Sequence, residues 1–121
     1  MTITKDEIIR YFKSGFKEIK DFRIGIEHEK FLFDNKSNKR IDYLKIKEMF
    51  SALIEFGWNP IVEQDNIIGL NKGGKNITLE PGNQIELSGD KLNNIHEGCA
   101  ESQDYLFELR QVTKKLGISI V

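Results

Sequence analysis

The period of hydrophobic and polar positions changes several times along this chain. Thr4 and Glu7 have the spacing of a capping box, and Ile8, Ile9, Tyr11 and Phe12 follow as one apolar face. This predicts a short first helix ending near Gly15, where a residue without Cβ can take a left-handed cap. Phe22 to Phe33, rich in Phe and Ile, reads as one long strand, and Asp34 to Lys39 as a polar loop. From Leu44 onward, Ile46, Met49, Phe50, Leu53 and Ile54 recur at helical spacing until Gly57. Four short strands are then expected: Trp58–Glu63, Asn66–Leu70, Asn76–Glu80 and Gln84–Ser88. Asn71 to Gly74 and Pro81-Gly82-Asn83 punctuate them as turns. Such close spacing leaves no room for crossover helices, so neighbours should pair antiparallel. Leu92, Ile95, Cys99, Ser102, Leu106, Leu109 and Leu116 alternate by three and four, predicting one buried seam on a helix of roughly 24 residues, ~36 Å long. Gly117 ends it, and Ile118 to Val121 reads as the start of another strand. A β-branched stretch is an odd place for a chain to stop, so the expectation is a truncated domain.

The pattern defines one α+β domain, an antiparallel sheet with flanking helices, and its 121 residues suit that size. Hydrophobic residues at 39% and charged residues at 31% exclude a disordered chain. With 18 Lys+Arg against 19 Asp+Glu, there is no electrostatic case for nucleic acid or an anionic membrane surface. One cysteine excludes an internal disulfide framework and a Cys-rich zinc site. No apolar run approaches the ~20 residues of a membrane span, and Met1 to Glu7 lacks a signal peptide's apolar centre. These features together predict a cytoplasmic protein.

The candidate chemistry lies in carboxylates on strands. Residues two apart on a strand share a face, so Glu27 and Glu29 project together, with Ile24 and Ile26 directed to the core. Two adjacent carboxylates repel unless a cation lies between them. Mg²⁺ takes hard oxygen ligands at about 2.0–2.1 Å and often bridges carboxylates to phosphates. An ordinary solvated sheet face has the same pattern, so this pair alone decides nothing. A hairpin about Pro81-Gly82-Asn83 would place Glu80 and Glu86 on one polar face as well, with Gln84 and Ser88. If that hairpin joins the sheet of Glu27 and Glu29, four carboxylates converge, and metal would neutralise them.

His28 has the opposite parity and should pack beneath the sheet. Trp58 and Cys99 read as core or, for Cys99, interface. His96 has no further ligand at suitable spacing, and Gly73-Gly74 lacks the phosphate-loop pattern.

These same residues carry a family resemblance. Phe22-Arg23-Ile24-Gly25-Ile26-Glu27-His28-Glu29-Lys30-Phe31 closely resembles the "RIGTEHEKF" segment of plant and proteobacterial glutamate–cysteine ligases. Gly57-Trp58-Asn59-Pro60, Asn66 to Leu70, Ile77 to Gly82, Gln84 to Gly89, and Asn94 to His96 with Cys99-Ala100-Glu101 resemble further motifs of that family, in family order. The resemblance implies a glutamine-synthetase-like fold and an enzyme that joins the γ-carboxyl of glutamate to the amine of cysteine, through a γ-glutamyl phosphate made from ATP. It implies Mg²⁺ as cofactor, with Glu27, Glu29 and Glu86 as ligands and Glu80 as a less certain one. Gln84 would orient substrate. Asn83 replaces a family Gly but tolerates the left-handed conformation, and Ile26 replaces a family Thr on the core side.

Family chains are several times longer. Later metal ligands and the basic residues for phosphate and glutamate would lie outside this segment, so the chain alone is expected to be inactive. Two other readings stand beside this one: a carboxylate–amine ligase with another acceptor, and a non-catalytic paralogue that self-associates through apolar surface left by missing strands.

Overall fold

The computed structural model describes residues 2–121, so Met1, counted above in the polar N-terminus, lies outside it. Helix α1 spans Lys5–Ser14. Strands β1 (Glu27–Lys30) and β2 (Leu32–Asp34) precede helix α2 (Tyr43–Leu53), which tightens into a 3-10 turn at Ile54–Phe56. Strands β3 (Asn59–Glu63), β4 (Asn66–Lys72), β5 (Lys75–Glu80) and β6 (Gln84–Ser88) follow. Helix α3 (Ile95–Leu116) and the short β7 (Ile118–Ile120) complete the chain. The fold is α+β. No helix among the described residues is long and apolar enough to cross a membrane.

Strands β3 to β6 form an antiparallel meander, as their spacing requires. Strand β1 adds antiparallel to β6, giving a five-stranded sheet in the order β1-β6-β5-β4-β3. The expected single strand from Phe22 to Phe33 is broken. Ile24 makes only an isolated bridge to Leu92, β1 is four residues long, and β2 leaves to pair with β7 in a separate two-stranded sheet. Phe31 is the switch point: its backbone exchanges two hydrogen bonds of 3.0 Å with Val121, not with β6. Ile118–Ile120 therefore has its partner in β2.

One face of the sheet packs on α2 and α3. Ile77, Ile85, Leu87 and Leu70 from the strands meet Ile46, Met49, Phe50 and Leu53 of α2 and Tyr105, Leu109 and Val112 of α3. Trp58 is in the core, as predicted, and its indole Nε1–H donates to Glu108 Oε2 at 2.6 Å. Lys72 Nζ donates to Glu108 Oε1 at 2.6 Å and to the Phe56 carbonyl at 2.8 Å, closing a charged clasp over the indole. Gly57 (φ 86°) and Gly117 (φ 68°) stop their helices in the left-handed conformation that glycine takes without a Cβ clash.

Other expectations are corrected. The capping box of α1 is present, but Gly15 stays right-handed (φ −83°), because its N–H closes back on Phe12 O without a chain reversal. No residue of α1 is buried, so its apolar face covers no core here. Ile24 is 40% exposed and does not enter the core. The buried stripe of α3 runs through Gly98, Glu101, Tyr105, Leu109 and Val112, leaving Ile95 and Cys99 outside. The stripe is rotated because Gly98 and Glu101 fit against the β1–β6 end of the sheet. There a Cβ on Gly89 would collide with the Glu101 carboxylate and come within 2.8 Å of Ile26 Cγ1. Glu101 is 8% exposed, and both its oxygens accept the Asp90 N–H at 3.2 Å.

Candidate active site

The pairing of β1 with β6 turns a sequence pattern into a site. Glu29 lies directly across from Glu86, and Glu27 across from Ser88. On the other side of β6, Thr78 faces Glu86 and Glu80 faces Gln84. Residues in register share a face, so Glu27, Glu29, Glu80, Gln84, Glu86 and Ser88 all stand on the surface opposite the helices. The four carboxylates and Gln84 are thus brought to one face. His28 has the opposite parity, is half-buried, and meets the ring of Tyr105 edge-on with centroids 5.9 Å apart.

Like charges directly opposite on a sheet destabilise it. Here neutral donors occupy one oxygen of each carboxylate in the central pair. Gln84 Nε2–H donates to Glu29 Oε2, and Ser88 Oγ–H donates to Glu86 Oε1 at 2.9 Å. One oxygen of each remains for another partner. The β5–β6 turn is set as the sequence predicts: Gly82 (φ 79°) and Asn83 (φ 62°) both take the left-handed region, and Asn83 Nδ2 donates to Ile41 O at 3.0 Å.

The donor set is all oxygen and anionic, which fits Mg²⁺ and not a soft metal. Among the described residues, no three His, Cys, Asp or Glu side chains stand close enough to form a ready cage. Such an arrangement suits a cation held by one or two carboxylates together with water and substrate phosphates, which is how Mg²⁺ usually binds at nucleotide sites. Two surface hollows, one along α1 at Ile8 and Phe12 and one on the outer face of α3 at Phe107, lie away from these carboxylates. The carboxylate face is an open sheet surface.

Burial lowers the His28 pKa below its usual 6.5, with Lys30 adding to the shift. Burial also raises Tyr105, whose hydroxyl has no hydrogen-bond partner. Both groups lie behind the sheet and away from the carboxylates. Glu101 was not singled out by the sequence reading as a structural carboxylate, because a lone Glu on a helix reads as solvent-facing.

Residues 23–121 match the family described as "Glutamate-cysteine ligase family 2 (GCS2)". The chain is 41% identical over 120 residues to glutamate–cysteine ligase A, chloroplastic, of Oryza sativa subsp. japonica. It is 42% identical to the chloroplastic glutamate–cysteine ligase of Medicago truncatula and 39% identical to that of Arabidopsis thaliana. Each match covers 98% of this chain but only 23–24% of the relative, so the chain spans about a quarter of their length. The chain belongs to glutamate–cysteine ligase family 2.

Proposed function

We propose that this chain supplies the cation- and nucleotide-binding side of a glutamate–cysteine ligase site, within a glutamine-synthetase-like fold in the cytoplasm. In this reading ATP transfers its γ-phosphoryl group to the γ-carboxylate of glutamate, releasing ADP. The amine of cysteine then attacks the acyl phosphate and phosphate leaves, giving γ-glutamylcysteine, the first intermediate of glutathione synthesis. The observation that supports it best is Glu29 placed opposite Glu86, with Glu27 and Glu80 on the same face, in a chain of this family.

Of the four, Glu29 and Glu86, directly across from each other, would hold Mg²⁺ together with water and phosphate oxygens, while Glu27 and Glu80 stand further along the same face and add negative charge to it. When bound, Mg²⁺ neutralises phosphate charge and aligns the phosphoryl group with its acceptor. Gln84 fixes Glu29 through its amide N–H, which leaves its carbonyl oxygen to accept from a substrate amine. Ser88 orients Glu86 in the same way.

The 121-residue chain alone is expected to release no ADP in response to glutamate and cysteine. Replacing the matched 120 residues of the rice ligase with this chain is expected to retain that ADP release, and E29Q or E86Q in the chimera to abolish it. A folded chimera that works equally well with E29Q and E86Q would sink the assignment. Use of another amine acceptor would show in the same assay as ADP release that cysteine does not increase.

A second, non-catalytic reading rests on the exposed apolar N-terminal segment, where Phe16 is 78% and Ile19 84% exposed. It requires self-association, which concentration-dependent sedimentation would detect.

A further inference from the structure

We infer that Arg40 is an oxyanion-binding residue at the Glu29–Glu80 end of the carboxylate face. Its backbone is fixed: residue 40 forms an isolated antiparallel bridge with Phe33, and the adjoining Ile41 N–H donates to Leu32 O at 3.2 Å. Its guanidinium lies over the Phe31 ring, 5.5 Å from the centroid. It also closes on the β5–β6 turn, where a Cβ on Gly82 would come within 2.5 Å of Nη1 and 2.9 Å of Nη2. Phe31 lies two residues beyond Glu29, and Gly82 lies between Glu80 and Gln84. The guanidinium is therefore clamped by both segments that end the carboxylate face.

Arg40 is exposed, yet it makes no ion pair and no side-chain hydrogen bond among the described residues. A surface arginine usually spends rotamer freedom when it binds. Here the Phe31 ring and the β5–β6 turn, which the guanidinium approaches closely because Gly82 has no side chain, restrict the fork beforehand. A pre-ordered fork with unused N–H donors matches the two oxygens of a phosphate or carboxylate. The face beside it carries four carboxylates, so an anionic ligand lying there needs a positive anchor on the protein. The ligase reading supplies two candidate sources of that oxyanion, the phosphates of ATP and the carboxylate of glutamate, and the choice of probes rests on it.

The test is NMR of the 15N-labelled chain, following the Arg40 side-chain N–H during separate titrations with inorganic phosphate, ATP and glutamate at ionic strength held constant with chloride. A saturable shift is expected. Saturation by phosphate and ATP assigns the nucleotide, whereas saturation by glutamate alone assigns the amino acid. R40Q should weaken binding of the responding anion on the order of tenfold or more, and R40K, which keeps the charge but loses the planar fork, should fall between. No saturable shift with any of the three anions overturns the inference, as does R40Q binding with unchanged affinity. If R40Q fails to fold, R40K binding with wild-type affinity overturns it instead. Mn²⁺ broadening of the Glu29 and Glu86 amides in a parallel sample tests the cation site separately. Absence of that broadening with the Arg40 shift intact would count against the ligase reading alone.

Discussion

Individual side chains here answer to the side of the sheet on which they fall. Glu29 and His28 are neighbours in sequence, but one stands on the open carboxylate face and the other lies half-buried against Tyr105. That burial sets a pH dependence. In the unfolded chain His28 takes a proton near 6.5, whereas in the fold burial lowers that value. The unfolded state thus binds more protons just below 6.5. Stability from neutral His28 is complete above that pH and is lost as pH falls toward the folded value. Thermal melts between pH 7.5 and 5.5 should show this decline, and H28Q should flatten it. An equal decline in H28Q would assign it to other groups.

Among the elements, α1 and α3 show what periodicity can and cannot tell. The capping box and apolar face of α1 were legible from Thr4 to Phe12, because both depend on contacts within one turn. Whether that face is covered depends on a second surface, and none of its residues is buried. F12S should therefore leave stability within about 0.5 kcal/mol of wild type in urea denaturation. A larger loss would mean that α1 is packed in solution. In α3 the 3.6 period and the stop at Gly117 were legible, but the seam was not. Counting apolar residues put Ile95 and Cys99 inside, while the structure buries Gly98 and Glu101 instead. Glu101 goes in because the Asp90 N–H, in the loop before the helix and outside its period, meets the carboxylate. The supposed long strand failed for a similar reason: Phe31 bonds to Val121, which draws β2 out of the main sheet.

At the scale of the molecule, the decisive contact is β1 against β6, which joins segments more than fifty residues apart. It places Glu29 opposite Glu86 and concentrates negative charge on an open face. Relieving that repulsion should stabilise the metal-free chain: E86Q is expected to gain up to about 1 kcal/mol without divalent cation. The same substitution should abolish the rise in melting temperature produced by Mg²⁺ with ATP. Both effects can be read from one set of melts. An E86Q chain that keeps its Mg²⁺ response would remove Glu86 from the proposed ligands.

The sequence by itself determined the three helices, the antiparallel meander, the core positions of Trp58, Ile46, Met49, Phe50 and Leu53, and the family, since these rest on local periodicity, turn chemistry and ordered motifs. It also fixed which strand residues share a face, because strand parity needs no partner. Only the tertiary structure decided that the face of β1 adjoins the face of β6, that Glu101 is buried, and that Arg40 is clamped between Phe31 and Gly82. Each of these is a contact between separate elements, and a pattern along one element carries no term for a neighbour across space.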